Sequence, residues 1–295
     1  NSGTMNTGAG GDRITGTGSD TGISNGNRYY PGTINTGKGN DIISGKGSDT
    51  GIYNSGTMNT GAGGDRITGT GYIGISTGGS YFSDSPGTIN TGEGNDRISG
   101  KGSDTGISNY KGTINTGAGN DRITGTGSDT GISDYYGTIN TGEGNDIITG
   151  TGGYTGIESY NGTIDTGAGN DTITGIGKDC GIDADMINTG TGDDIIDALK
   201  GGFEINQAIY LGSGNDTLKG FGDSVNVWGG AGTDKILFGE GTYIVSEYRI
   251  DSDTETMYRS MYFNEFEQIG GANGGLFAIV NGTLTVDSAG IGTFA

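Results

Sequence analysis

Apolar residues along this chain are sparse and regularly placed. In the stretch GTINTGAGNDRITGTGSDTGISDYY, residues 112–136, the only apolar side chains are three isoleucines, one alanine and two tyrosines. Each isoleucine is flanked mainly by polar or β-branched residues, as in a short strand with a single inward side chain. The same phase recurs along the chain and gives three files of inward positions. One file follows GT (Met5, Ile34, Met58, Ile89, Ile114, Ile139, Ile164) or, in its last copy, DM (Ile187). A second is Ile14, Ile43, Ile67, Ile98, Ile123, Ile148, Ile173, Ile196, Leu218 and Ile236, and a third is Ile23, Ile52, Ile75, Ile107, Ile132, Ile157 and Ile182. A strand that buries one residue is not stable alone, because its backbone groups need partners. Stacked coils supply them, so the pattern predicts an all-β parallel solenoid of about ten coils, with rungs about 4.8 Å apart. A helical reading fails, since glycine at every second or third position costs about 1 kcal/mol per helical site and no 3.6-residue apolar period occurs.

A glycine turn precedes each member of the second file. Ten copies align: TGAGGD, TGKGND, TGAGGD, TGEGND, TGAGND, TGEGND, TGAGND, TGTGDD, LGSGND and GGAGTD. They end on Asp12, Asp41, Asp65, Asp96, Asp121, Asp146, Asp171, Asp194, Asp216 and Asp234, with spacings of 29, 24, 31, 25, 25, 25, 23, 22 and 18 residues. A weaker second turn, GTGSDTGI or a variant, carries Asp20, Asp49, Asp104, Asp129 and Asp179; Tyr154 stands where an Asp would be, and GTGYIGI is one residue short and has none. The repeat occupies residues 1–238. From 239 to 295 the chain is denser in apolar and β-branched residues and reads as an antiparallel β cap, which an open solenoid end requires to avoid templating aggregation.

Composition changes the picture in two ways. Only 29% of the chain is hydrophobic and 68 of 295 residues are glycine, which would mean disorder if the glycines had no period. The charge of -20, from 35 acidic and 15 basic residues, argues against a phosphate-binding surface or a nucleic-acid partner and calls for a cationic one. With no histidine and a single cysteine, Cys180, zinc sites, disulfide frameworks and Cys/His or Ser/His catalysis are excluded or nearly so, and no enzyme is expected. No apolar run approaches the roughly 20 residues of a membrane span. Asn1 falls within a repeat, as in a fragment or processed form.

In TGxGNDxI the glycines permit backbone geometries that let carbonyls converge, and the Asp adds a carboxylate nearby. Converging oxygens suit a hard cation, and an all-protein site of tolerant geometry favours Ca2+ over Mg2+. One turn supplies half a site and the next coil the other half. Ten turns would hold about nine ions carrying about +18, close to the deficit; an Asx turn without metal would leave ten stacked carboxylates uncompensated.

TGAGNDRIT, LGSGNDTLK and GGAGTDKIL resemble the RTX, or haemolysin-type, calcium-binding nonapeptide GGxGxDxUx. The resemblance implies a right-handed parallel β-roll, type I secretion, and calcium held by turn-glycine carbonyls and turn aspartates. Carried over residue by residue, the ligands are the ten first-turn aspartates with Gly8, Gly10, Gly37, Gly39, Gly61, Gly63, Gly92, Gly94, Gly117, Gly119, Gly142, Gly144, Gly167, Gly169, Gly190, Gly192, Gly212, Gly214, Gly230 and Gly232. The five second-turn aspartates would form an interrupted second file. Thr replaces the first family glycine in most copies, and a coil near 25 residues, where the family has 18, points to a third side.

Other rows invite roles of their own. Asn6, Asn35, Asn59, Asn90, Asn115, Asn140, Asp165 and Asn188 read as an amide ladder; with the neighbouring threonines they also offer an ice-binding grid. Tyr29, Tyr30, Tyr53, Tyr81, Tyr110, Tyr135, Tyr136 and Tyr160 gather on one variable edge, which either covers a thin core or meets a glycan or a cell-surface protein. Asp134 and Glu158 read as part of a solvated face, and Cys180 as a small filler. The function expected is a secreted, calcium-dependent structural or adhesive module, with a carbohydrate-binding module as the alternative.

Overall fold

A computed structural model describes residues 1–27, 29–78, 85–204, 207–252 and 259–295. It is all β. One coil consists of Thr113–Asn115, Arg122–Thr126 and Thr130–Tyr135, joined by the two glycine turns, and each strand pairs in parallel with its equivalents in the coils before and after. Register follows the sequence phase: Ile114 opposes Ile89 and Ile139, Ile123 opposes Ile98 and Ile148, and Ile132 opposes Ile107 and Ile157. These isoleucines are fully buried, so the core is three narrow files and little else.

The solenoid has about eight three-sided turns rather than ten. Three-sided coils run to Phe203, which bridges Ile182, and the last two repeats, around Asp216 and Asp234, form narrower coils. Shortening of the repeat from 25 residues toward 18 is the cause, since the third strand no longer has residues to form it. Met5 was expected inside but is 40% exposed, because no earlier described coil covers it. The short copy GTGYIGI is absorbed by a register shift between Gly102 and Thr105, which keeps Ile75 opposite Ile107.

The parallel stack outlasts the motif. Arg259–Asn264 pairs in parallel with Val225–Ala231, and Gln268–Gly271 with Lys235–Phe238. Antiparallel strands at Gly241–Ser246, Arg249–Ser252 and Gly282–Val286 then close the end, with Tyr243 stacked on Phe238 at 4.3 Å. The cap is therefore built on a further solenoid layer.

A polar file also lies inside. Asn25, Asn54, Asn109, Asp134 and Ser159 sit two positions after the third-file isoleucines and so point inward with them. Asn25 donates its amide to Asn54 Oδ1 at 2.8 Å, Asn109 to Asp134 Oδ1 at 2.6 Å, and the Ser159 hydroxyl donates to Asp134 Oδ2 at 3.1 Å. Asp134 is thus buried, not solvated as its sequence context suggested. Burial raises its carboxyl from 3.8 to about 7 despite these two donors. A group whose folded value exceeds its unfolded one favours the fold while protonated, below about pH 4, and destabilises it progressively as pH rises toward 7. Asp134→Asn, which restores the residue type of Asn109 and Asn54, is expected to stabilise the protein above pH 7 by on the order of 3 kcal/mol, with the difference vanishing near pH 4. Denaturant titrations across that range check it; a difference that ignores pH would contradict it.

Candidate metal centre

Each first turn has the same backbone. The first glycine has φ between 90° and 104° and the second between 117° and 154° in all ten copies, conformations that favour glycine. Space imposes the same choice, since a Cβ at Gly119 would lie 1.8 Å from the Gly94 carbonyl of the preceding coil. The residue between the glycines is pinned both ways: Ala118 N–H donates to Gly92 O at 2.9 Å, and Gly94 N–H donates to Ala118 O at 2.7 Å. Among the described residues, no main-chain hydrogen bond of these turns ends on the second-glycine carbonyls of Gly39, Gly63, Gly94 or Gly119.

The ten aspartates stack into one file, buried from Asp41 to Asp234 and half-buried at Asp12. Each donates its backbone N–H to Oδ1 of the aspartate one coil on, from Asp12 to Asp41 at 2.7 Å through Asp216 to Asp234 at 2.8 Å. Asp234 ends the series by donating to Glu267 Oε2 at 2.7 Å. Glu267 precedes Ile269 by two positions, as Asp234 precedes Ile236; that E-x-I spacing is the signal by which sequence reasoning could have found it. The other carboxylate oxygen, Oδ2, is buried in all ten aspartates and finds no hydrogen-bond partner among the described residues. The turn threonine hydroxyls that stand beside six of these carboxyls and lower their pKa, Thr60 by Asp65 through Thr189 by Asp194, donate to a main-chain carbonyl of the next coil.

Burial sets the electrostatics. It raises the carboxyls of Asp121, Asp171 and Asp216 to about 6 and that of Asp194 to about 7, with neighbouring carboxylates adding to the effect. Asp65, Asp96, Asp146 and Asp234 are raised for the same leading reason. Threonine at the first turn position serves the stack: the Thr116 hydroxyl, beside Asp121, donates to Thr141 O at 3.2 Å, and Thr141 repeats this toward Thr166. This accounts for Thr in place of glycine. A third ladder, on the outside, uses the asparagine that precedes the Asp in six of the turns; Asn120 N–H donates to Asn95 Oδ1 and Asn145 N–H to Asn120 Oδ1, both at 2.7 Å.

The second-turn aspartates do not converge in this way. Asp20, Asp49, Asp129 and Asp179 are exposed, while half-buried Asp104 accepts from the Thr105 hydroxyl at 3.1 Å and from exposed Tyr72, whose hydroxyl it raises. Their main chains, rather than their carboxylates, carry the stacking, as when Asp49 N–H donates to Asp20 O at 2.9 Å. The expected Asn ladder is present as the steps Asn35 to Asn6, Asn90 to Asn59 and Asn188 to Asp165, at 3.0 to 3.4 Å. On the tyrosine edge, Tyr160 packs against Tyr135 and Tyr136 at 5.7 and 5.8 Å, and the Tyr135 hydroxyl donates to Glu158 Oε1 at 2.6 Å. Tyr81 lies outside the described residues. Cys180 is buried opposite Thr155, its thiol pushed up to about 12 by burial.

Among the described residues, no three Asp, Glu, Cys or His side chains form a metal-holding group. A cation in the first file would therefore take one carboxylate oxygen from each rung and the rest from main-chain carbonyls. A family model described as RTX calcium-binding nonapeptide repeat (4 copies) matches residues 33–56, 87–105, 109–130, 138–154, 158–175 and 210–245. The chain carries RTX calcium-binding repeats. No curated protein and no solved structure matches the chain. The RTX turns ending at Asp12, Asp65 and Asp194 lie outside the matched segments, and each lacks the asparagine before its Asp. They nonetheless join the same Oδ1 ladder and have the same partnerless Oδ2, so one geometry spans all ten turns. The donor set of carboxylate and carbonyl oxygens, with no nitrogen or sulfur, fits calcium.

Proposed function

We propose that this chain is a secreted RTX-repeat protein with a structural or adhesive role at the cell surface, and that its solenoid forms as calcium binds. The observation that carries the reading is the file of ten buried Oδ2 atoms without partners. Oδ1 of the nine aspartates from Asp41 to Asp234 is spent on the preceding rung's N–H, which fixes each carboxylate and leaves Oδ2 for the ion. Bound there, calcium supplies the positive charge that offsets the buried carboxylates. The reading is confined to the first file, because four of the five second-turn aspartates are exposed and half-buried Asp104 is taken up by the hydroxyls of Thr105 and Tyr72.

Export follows from the same balance. In low-calcium cytosol the acidic chain stays unfolded and fits a type I secretion route, and outside the cell ion binding becomes folding free energy. The role is one of binding and support rather than catalysis. Adding calcium stepwise to chelated protein while recording far-UV circular dichroism tests the reading: a cooperative gain of β signal is expected, and a signal indifferent to calcium would sink it.

A further inference from the structure

Net charge conceals a segregation of charge. The second side of the solenoid is formed by residues 13–17, 42–46, 66–70, 97–101, 122–126, 147–151, 172–176, 195–200, 217–219 and 235–238, and nine of the chain's 15 basic residues fall in these stretches. They contain one acid, Asp197, which Lys219 pairs at 3.5 Å. The density is greatest over four successive coils, where Arg66, Arg97 and Arg122 stand in register on neighbouring rungs, with Lys46 and Lys101 four residues along the strands on the same face. All five are exposed, and among the described residues none is in an ion pair. Like charges opposite one another in a sheet are destabilising, and 35 acidic residues were available to neutralise them.

We infer that this face binds a linear acidic polysaccharide laid along the solenoid axis. Strands of five residues make the basic zone about 15 Å wide. Exposed carboxylates stand on both margins, Glu93 and Glu143 at the first turn and Asp49 and Asp129 at the second. So narrow a strip accepts a thin polyanion and repels a broad anionic surface such as a membrane or a duplex. Between the basic columns runs a column of hydroxyls, Ser44, Thr68, Ser99 and Thr124, suited to sugar hydroxyl groups. Arg66, Arg97, Arg122, Ser99 and Thr124 line a shallow depression of about 180 Å³ on it. No aromatic side chain lies on these stretches between residues 42 and 126, whereas single-stranded nucleic acid is held by stacking on aromatics.

The test compares the intact protein with the triple variant Arg66→Gln/Arg97→Gln/Arg122→Gln in fixed calcium, with circular dichroism in the same buffer to separate misfolding from lost binding. Dextran sulfate, oligogalacturonate, neutral dextran, single-stranded DNA and anionic lipid vesicles serve as probes, measured by calorimetry. Expected are binding of an acidic polysaccharide but not of neutral dextran, weakening with added salt, and a loss of about ten-fold or more in the folded triple variant. A control variant, Lys178→Gln, with its lysine outside this face, should bind as the intact protein does. Equal binding by the triple variant, no binding of either acidic polysaccharide, or tighter binding of DNA or vesicles would overturn the inference.

Discussion

Chelating calcium at neutral pH is expected to abolish the β-sheet circular dichroism of the whole chain in one cooperative step, and restoring calcium to bring it back. Carboxylates on rungs about 5 Å apart repel one another by roughly 3 kcal/mol per adjacent pair at an effective dielectric near 20. With ten in a file, that sum exceeds the 5–15 kcal/mol by which domains are ordinarily stable. The three narrow isoleucine files have no reserve to absorb it. Ion binding reverses the balance, since a site occupied at about 100 times its Kd contributes about 2.7 kcal/mol. A chelated protein that kept its β signal and denatured at the same urea concentration would contradict this.

Asp121→Asn is expected to raise the calcium concentration at the folding midpoint about ten-fold, whereas Asp129→Asn should leave it unchanged. Asparagine retains the Oδ1 that accepts from Asp96 N–H at 2.8 Å, and replaces only Oδ2 and the charge. Asp121→Ala removes Oδ1 as well and leaves a buried N–H unsatisfied, at a further cost of about 1–3 kcal/mol. Asp129 is exposed and belongs to the second turn. Asp12→Asn should have a smaller effect than Asp121→Asn, because Asp12 is only half-buried whereas Asp121 is fully buried. Calcium titrations monitored by circular dichroism give the midpoints, and equal shifts for Asp121→Asn and Asp129→Asn would show that the two files do not differ in kind.

Period made much of the fold legible. The phase of Ile114, Ile123 and Ile132 fixes which residues face inward, and the structure stacks those isoleucines in register. Applying the same two-residue alternation one step further would have placed Asn109 and Asp134 inside; reading acidity as exposure concealed them. Glu267 was hidden because the motif's glycines end at Gly232 while its D-x-I spacing continues as E-x-I. The division of an Asp carboxylate into an Oδ1 that holds the preceding rung and an Oδ2 left over could not be read from spacing, since it depends on the rotation of a side chain. Net charge says nothing of how charge is distributed: -20 argued against a phosphate-binding surface, while strand alternation and register sort nine of the 15 basic residues onto one face of an acidic solenoid.

Anomalous diffraction from crystals grown in calcium would locate the ions directly. The account predicts about nine peaks in a line between successive first-turn aspartates, each about 2.3–2.6 Å from an Oδ2 atom. A folded solenoid with no ions along the file from Asp12 to Asp234, or with ions only beside Asp20, Asp49, Asp104, Asp129 and Asp179, would contradict it.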